Sequence, residues 1–255
     1  MKTTKMRMLL LLACILMTNL GFAQDKEPPT MFVVHTDYVN FNKMMQYEEA
    51  AKALKENCEK HDIQDVDWLT VSIEDGRYVY VSAIENMAEL DNNPMASLFE
   101  KMGQEEAGAL FNKMDECYDS HGNTIVHYMP ELSYNPEGYS TEGKNYREYH
   151  FLYYSPKDSK AMNEGMKAVK DMFAAKGVKN GYNVYHSGFG EKDSYYMVSI
   201  AGKDDIAVAQ GGKENDEILG DERQATFYKV ISLTTKYDQV NGRLRPDLSY
   251  TPAKK

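Results

Sequence analysis

The sequence predicts an α+β chain made of two ferredoxin-like β-α-β-β-α-β units in tandem. Pro130-Glu131-Leu132-Ser133-Tyr134 recurs as Pro246-Asp247-Leu248-Ser249-Tyr250, and each copy is followed by one residue and a proline. Carried back without a gap, that register pairs Phe111 with Phe227, Lys113 with Lys229 and Cys117 with Leu233; further upstream Val81-Ser82 matches Val198-Ser199. The two halves, 30–136 and 147–252, then read in the same order of strands and helices, with 137–146 as a polar, turn-rich linker.

In the first half, Met31–Thr36 is a β-rich run, and Phe41, Met44, Tyr47, Ala51, Leu54 and Cys58 follow at helical spacing. Strands are expected at Asp67–Ile73 and Arg77–Ala83, joined by a hairpin at Glu74-Asp75-Gly76. One helix is expected from Pro94 to Tyr118, and a last strand at Asn123–Met129. In the second half, Ser155 and Asp158 form a capping-box pattern, Pro156 suits the first helical position, and Gly177 suits a helix end. Met162, Met166, Val169 and Phe173 make one apolar stripe. Strands follow at Tyr182–Ser187 and Ser194–Ala201. Phe227–Leu233 has strand propensity, but its register with Phe111–Cys117 predicts a helix over 215–237, with Ile218, Phe227, Val230, Leu233 and Tyr237 inward and a final strand at Val240–Leu248.

The first 23 residues read as a signal peptide. Lys2, Lys5 and Arg7 precede a short apolar run, and Gly21-Phe22-Ala23 offers small residues for cleavage after Ala23. A periplasmic or secreted protein is expected, with a lipoprotein anchored at Cys14 as the competing reading. No segment reaches the ~20 apolar residues of a spanning helix. The net charge of −10 becomes more negative once the signal's cations are removed, which argues against nucleic acid and anionic membranes as partners.

Two cysteines remain, Cys58 and Cys117. The expected fold puts them at opposite ends of one helical layer, beyond the ~7 Å reach of a disulfide, so both are expected free and buried. The six histidines form no His-x-x-x-His, His-x-Glu or paired-cysteine pattern, so no dedicated metal site is expected. His35, His127, His150 and His186 fall on expected strands, where any of them would serve as a haem ligand or a proton relay if it faced a cavity.

Two fused units of this order, each ending in the recurring Pro-Glu/Asp-Leu-Ser-Tyr segment, resemble the dimeric α+β barrel superfamily. The likeness is to the antibiotic-biosynthesis-monooxygenase and NIPSNAP-like type. It implies two four-stranded sheets facing each other within one chain, helices outside, and a monomer with an internal pseudo-dimer. The superfamily holds monooxygenases, haem-binding and haem-degrading proteins, small isomerases and proteins without assigned chemistry, so fold alone does not select a reaction.

Strand alternation then assigns Leu69, Val71, Ile73, Val79, Val81 and Ala83 to the helices, and Trp68, Thr70, Tyr78 and Tyr80 to the barrel interior with Tyr182, His186, Tyr195 and Met197. Aromatic bodies with polar tips suit a flat organic ligand held between the two sheets; they equally suit an interior filled by its own side chains. The leading expectation is an exported protein binding a small organic molecule. A cofactor-independent monooxygenase-like or haem-associated enzyme, or a protein-interaction module, are its alternatives.

Overall fold

A computed structural model describes residues 29–253. The expected signal peptide, with Cys14, lies outside the described residues. The chain runs β1 (Met31–Val39), a 3-10 turn into α1 (Met44–Lys60), β2 (Leu69–Ile73), β3 (Arg77–Ile84), a second 3-10 turn (Met87–Asp91), α2 (Ala96–Met102), α3 (Gln104–Asp115) and β4 (Tyr118–Tyr128). It continues through β5 (Tyr146–Tyr154), α4 (Ser159–Lys176), β6 (Asn183–Ser187), β7 (Tyr195–Gly202), α5 (Asp205–Leu219), α6 (Glu222–Ile231) and β8 (Thr234–Leu244).

All eight strands join one closed antiparallel barrel in the order β1-β3-β2-β8-β5-β7-β6-β4, with β4 returning to β1. This corrects the expectation of tandem ferredoxin-like units with facing sheets. The ladder never stops between the halves: β2 pairs with β8 (Val71 with Leu244, Ile73 with Gly242) and β4 pairs with β6 (Val126 with Ser187, Tyr128 with Tyr185). Closure leaves no strand edge with unpaired N–H and C=O groups. Glycines permit the close approach at both seams. A Cβ on Gly242 would stand 2.8 Å from the Ser72 carbonyl oxygen, and one on Gly188 would stand 2.7 Å from that of Ile125.

Local chemistry explains where helices differ from expectation. Gly103, at φ +97°, separates α2 from α3, and Gly220, at φ +62°, separates α5 from α6, so neither expected long helix is continuous. Phe227–Ile231 is helical despite its β propensity, because α6 packs Val230 into the layer under α4. The helix ends before Thr234, however, and Tyr237 belongs to β8, half exposed; Ile218 is also exposed rather than buried. Asp204 caps α5 by accepting from the Ala207 amide, whereas Ser155 makes no side-chain cap ahead of Pro156. The stripe of Met162, Met166, Val169 and Phe173 is buried, and Gly177 ends α4 in the left-handed region.

The recurring Pro-Glu/Asp-Leu-Ser-Tyr segments have a structural role. Leu132 and Leu248 are buried, and the Ser133 and Ser249 hydroxyls accept the Val184 and Thr70 amides, extending hydrogen bonding past the strand ends. The Tyr134 hydroxyl donates to the Val178 carbonyl and that of Tyr250 to Ile63. Each segment therefore straps a strand to the neighbouring helix end. Cys58 and Cys117 are both free and buried. No helix among the described residues is long and apolar enough to cross a membrane.

Candidate functional site

The expected facing of the first-half strands is reversed. Trp68 and Tyr78 pack into the cluster that contains Leu54, Cys58 and Leu110, between sheet and helices. The Tyr80 hydroxyl reaches Tyr47 on α1, and Tyr78 donates to Glu48 one residue further on. Val71 and Ile73 point the other way, against Gly242 across the barrel seam. In these strands polar tips sit under the helices because α1 supplies their partners, and Val71 and Ile73 turn to the barrel interior.

The eight sequence-derived pocket residues consequently do not converge. Trp68 and Tyr80 line a cavity under α1 and α3. Thr70 and Tyr78 lie on the same face but are consumed in packing and strapping: Thr70 donates to the Leu248 carbonyl, and Tyr78 is fully buried. Tyr182 and His186 face α4 in the other layer, where Tyr182 meets Phe173 edge-on and His186 bonds the Tyr154 hydroxyl at 2.7 Å. Tyr195 and Met197 alternate with the helix-facing Tyr196 and Val198, so they are on the inner face of the barrel, where Tyr195 packs on Phe151.

The cavity measures about 660 Å³. Its walls are apolar, made by Leu54, Trp68, Phe111, Met114 and Ile125, and Leu90 and Phe189 stand exposed at its rim. The corresponding layer under α4 is filled instead, by Leu152, Met162, Met166 and Val198. Volume on one side and packing on the other follow from side-chain choice on a shared framework.

Polar groups converge at one wall. His35 and Asp37 alternate on β1 and so share a face, and Asn123 pairs with His35 across β4. The His35 ring contacts Asn123 Oδ1 through Nδ1 and Asp37 Oδ1 through Nε2, each at 2.9 Å. Asp37 is 1% exposed, and its Oδ2 accepts from the Tyr47 hydroxyl at 2.5 Å. The Tyr47 oxygen in turn lies 2.8 Å from the Tyr80 hydroxyl. A carboxylate only accepts, so Tyr47 spends its proton on Asp37 and Tyr80 must donate to Tyr47. The Tyr80 oxygen is thereby left with acceptor capacity on the cavity side.

Electrostatics follow the same chain. Burial works against charge on His35, but the hydrogen bond and negative charge of Asp37, helped by Asn123, outweigh it and raise the imidazole above its ordinary value. Burial pushes the Tyr47 and Tyr80 hydroxyls up, with the Asp37 charge adding to the effect on both, so both remain protonated. His121, opposite Asp37 on β4, sets its ring edge-on to His35 at 5.4 Å.

The sequence puts His35 on a strand but singles out none of Asp37, Tyr47, His121 and Asn123 for a site. The available signal was His35-Thr36-Asp37, a histidine and a carboxylate two residues apart on a strand. Nothing local announces Tyr47 or His121 as their partners.

No protein-family model matches the chain, and no curated protein does. Solved structures do. An anthrone oxidase-like protein superposes with TM-score 0.55 at 11% identity, over 86% of this chain and 92% of its own. A putative monooxygenase from Lactobacillus acidophilus NCFM gives 0.51 at 10% identity, over 88% and 97%. A mutant chlorite dismutase from Candidatus Nitrospira defluvii gives 0.51 at 9% identity, over 86% and 93%. These proteins belong to the dimeric α+β barrel superfamily. The chain has their fold. Identity this low carries the fold and not its chemistry.

Proposed function

We propose that the cavity under α1 and α3 binds a flat, neutral organic molecule bearing a hydroxyl or enol group and takes part in its cofactor-independent, monooxygenase-like oxidation. One observation carries the reading: a hydrogen-bond chain of forced polarity, Tyr80 to Tyr47 to Asp37, begins at the cavity and ends on a buried carboxylate. The apolar walls with Trp68 and Phe111 suit aromatic rings, and the Tyr80 oxygen accepts the ligand's O–H. Similarity to an anthrone oxidase-like protein and a putative monooxygenase supports the same class.

The chemistry balances without a bound group. The ligand hydroxyl gives its proton to Tyr80, Tyr80 passes its own to Tyr47, and Tyr47 protonates Asp37 Oδ2. The negative charge has then moved from Asp37 to the substrate, beside the His35 ring at the cavity wall. Dioxygen takes electrons from the substrate anion; for anthrone, one oxygen atom enters the product, anthraquinone, and the other leaves as water.

Haem, the other option within the superfamily, fits these residues poorly. An iron whose equatorial positions are filled by a porphyrin would accept only one atom of the His35–Asp37 pair and split it from the other. Among the described residues, no lysine or arginine lines the cavity to meet propionates.

The test is oxygen uptake with anthrone, read beside quenching of Trp68, the protein's one tryptophan. Wild-type protein is expected to be quenched and to consume oxygen, and Asp37→Asn and Tyr80→Phe are expected to bind while losing at least about tenfold in rate. Absence of quenching and of any rise in melting temperature, or wild-type rates in both variants, overturns the reading. We further infer export with cleavage after Ala23; recovery of an N-terminus at Gln24 from the cell envelope or medium supports it, and an intact Met1 in the cytoplasm refutes it.

A further inference from the structure

We propose that His35, Asp37 and His121 form a binding site for a divalent first-row transition metal. Each offers one ligand atom, and those atoms lie within 4.8 Å of one another. The topology builds this: His35 and Asp37 occupy one face of β1, and His121 is the register partner of Asp37 on β4.

The outer hydrogen bonds are those a ligand set needs. The Nδ1 of His35 is turned to Asn123 and the Oδ2 of Asp37 is held by Tyr47, which leaves Nε2 and Oδ1 facing each other at 2.9 Å. Ligating histidines commonly give their second nitrogen to an oxygen acceptor in this way. With metal–ligand bonds of ~2.1 Å, two atoms that far apart subtend about 90° at the metal, an edge of an octahedron rather than of a tetrahedron. Two histidines and one carboxylate on one side leave the remaining positions open. His121 has to close by rotation about its side chain, and it is free to do so: it is exposed, and among the described residues it makes ring contacts with His35 and Tyr118 but no side-chain hydrogen bond.

The proposal does not rest on the oxidation reading. The ion takes Oδ1 of Asp37, whereas the tyrosine chain ends on Oδ2. The 2.9 Å contact between Nε2 and Oδ1 holds one proton, whichever of the two carries it, and the ion displaces that proton to solvent.

The experiment is calorimetric titration of the untagged, chelator-treated mature chain with Co²⁺, run in two buffers of different ionisation enthalpy and followed by visible absorption. One saturable site, release of about one proton and a d–d band of six-coordinate cobalt are expected. His121→Ala is expected to weaken binding by about 100-fold and Asp37→Asn by at least as much, while Tyr80→Phe leaves it within about threefold. His121 is at the surface, so its variant folds regardless of what Asp37→Asn does. No saturable binding, or affinity unchanged in His121→Ala, overturns the site. Wild-type protein that binds Co²⁺ but neither binds nor oxidises anthrone would refute the oxidation reading alone.

Discussion

The Tyr47 hydroxyl stands 2.5 Å from Asp37 Oδ2, joining α1 to β1 through a contact that is closed to solvent on both sides. Tyr47→Phe would leave a buried carboxylate short of one donor. An unsatisfied group of this kind costs about 1–3 kcal/mol, so a lower urea midpoint with unchanged m is expected. Chemical denaturation of the two proteins side by side checks it, and identical midpoints would show that the carboxylate finds another donor.

Arg245 ties α1 to the C-terminal strap by pairing with Glu48 and Asp247. Its hydrogen bonds hold both carboxyls below their ordinary values, although burial opposes the effect on each. A lowered carboxylate stabilises the fold above its unfolded pKa, and that contribution fades as pH falls through the folded value. Stability is therefore expected to drop below about pH 4, and Glu48→Gln should flatten the drop. The Glu48 side chain is 35% exposed, so solvent screening limits its share to under about 1 kcal/mol at neutral pH. Urea midpoints of both proteins measured from pH 7 to pH 3 test the slope.

Glycines at a seam and on an open helix should respond oppositely to alanine. At Gly242 the new Cβ meets Ser72 backbone and the Ile73 side chain at 2.8 Å, and overpacking of this kind costs about 1–3 kcal/mol. At Gly212, in the middle of α5, nothing lies within 4 Å, and alanine should stabilise by about 0.5–1 kcal/mol. Thermal melts of the two variants give the comparison; a stabilising Gly242→Ala would mean the β2–β8 seam is looser than its register indicates.

Burial pushes the Cys58 thiol up to about 11 and also raises that of Cys117. Neither forms appreciable thiolate at neutral pH, and both are shielded. A thiol-reactive chromophore should therefore label Cys58 and Cys117 slowly in the native protein and promptly in denaturant. Rapid native labelling would show that the α1 and α3 ends open readily.

The cavity side chains were partly legible and partly not. His35, Trp68 and Tyr80 stand out as residues of expected strands with polar tips, but alternation assigns Trp68 and Tyr80 to the barrel interior and does not say which way His35 points. Tyr47 reads in the sequence as one more member of an apolar helical stripe, since a phenol serves as core or as relay with the same spacing. His121 is separated from His35 by most of the first half of the chain, and only the β1–β4 register brings them together.

The order of strands and helices, the helical state of Phe227–Ile231 and the recurrence of the strap segments follow from the amino-acid sequence alone. Tertiary structure decided which face of each strand meets the helices. Alternation has a period of two and no sign, and in a closed barrel both faces are covered, one by helices and one by the opposite wall. A greasy row and an aromatic row can then exchange places without changing the pattern. What broke the tie was α1, whose Tyr47 and Glu48 satisfy the polar tips of Tyr80 and Tyr78 and leave Val71 and Ile73 to fill the barrel against Gly242.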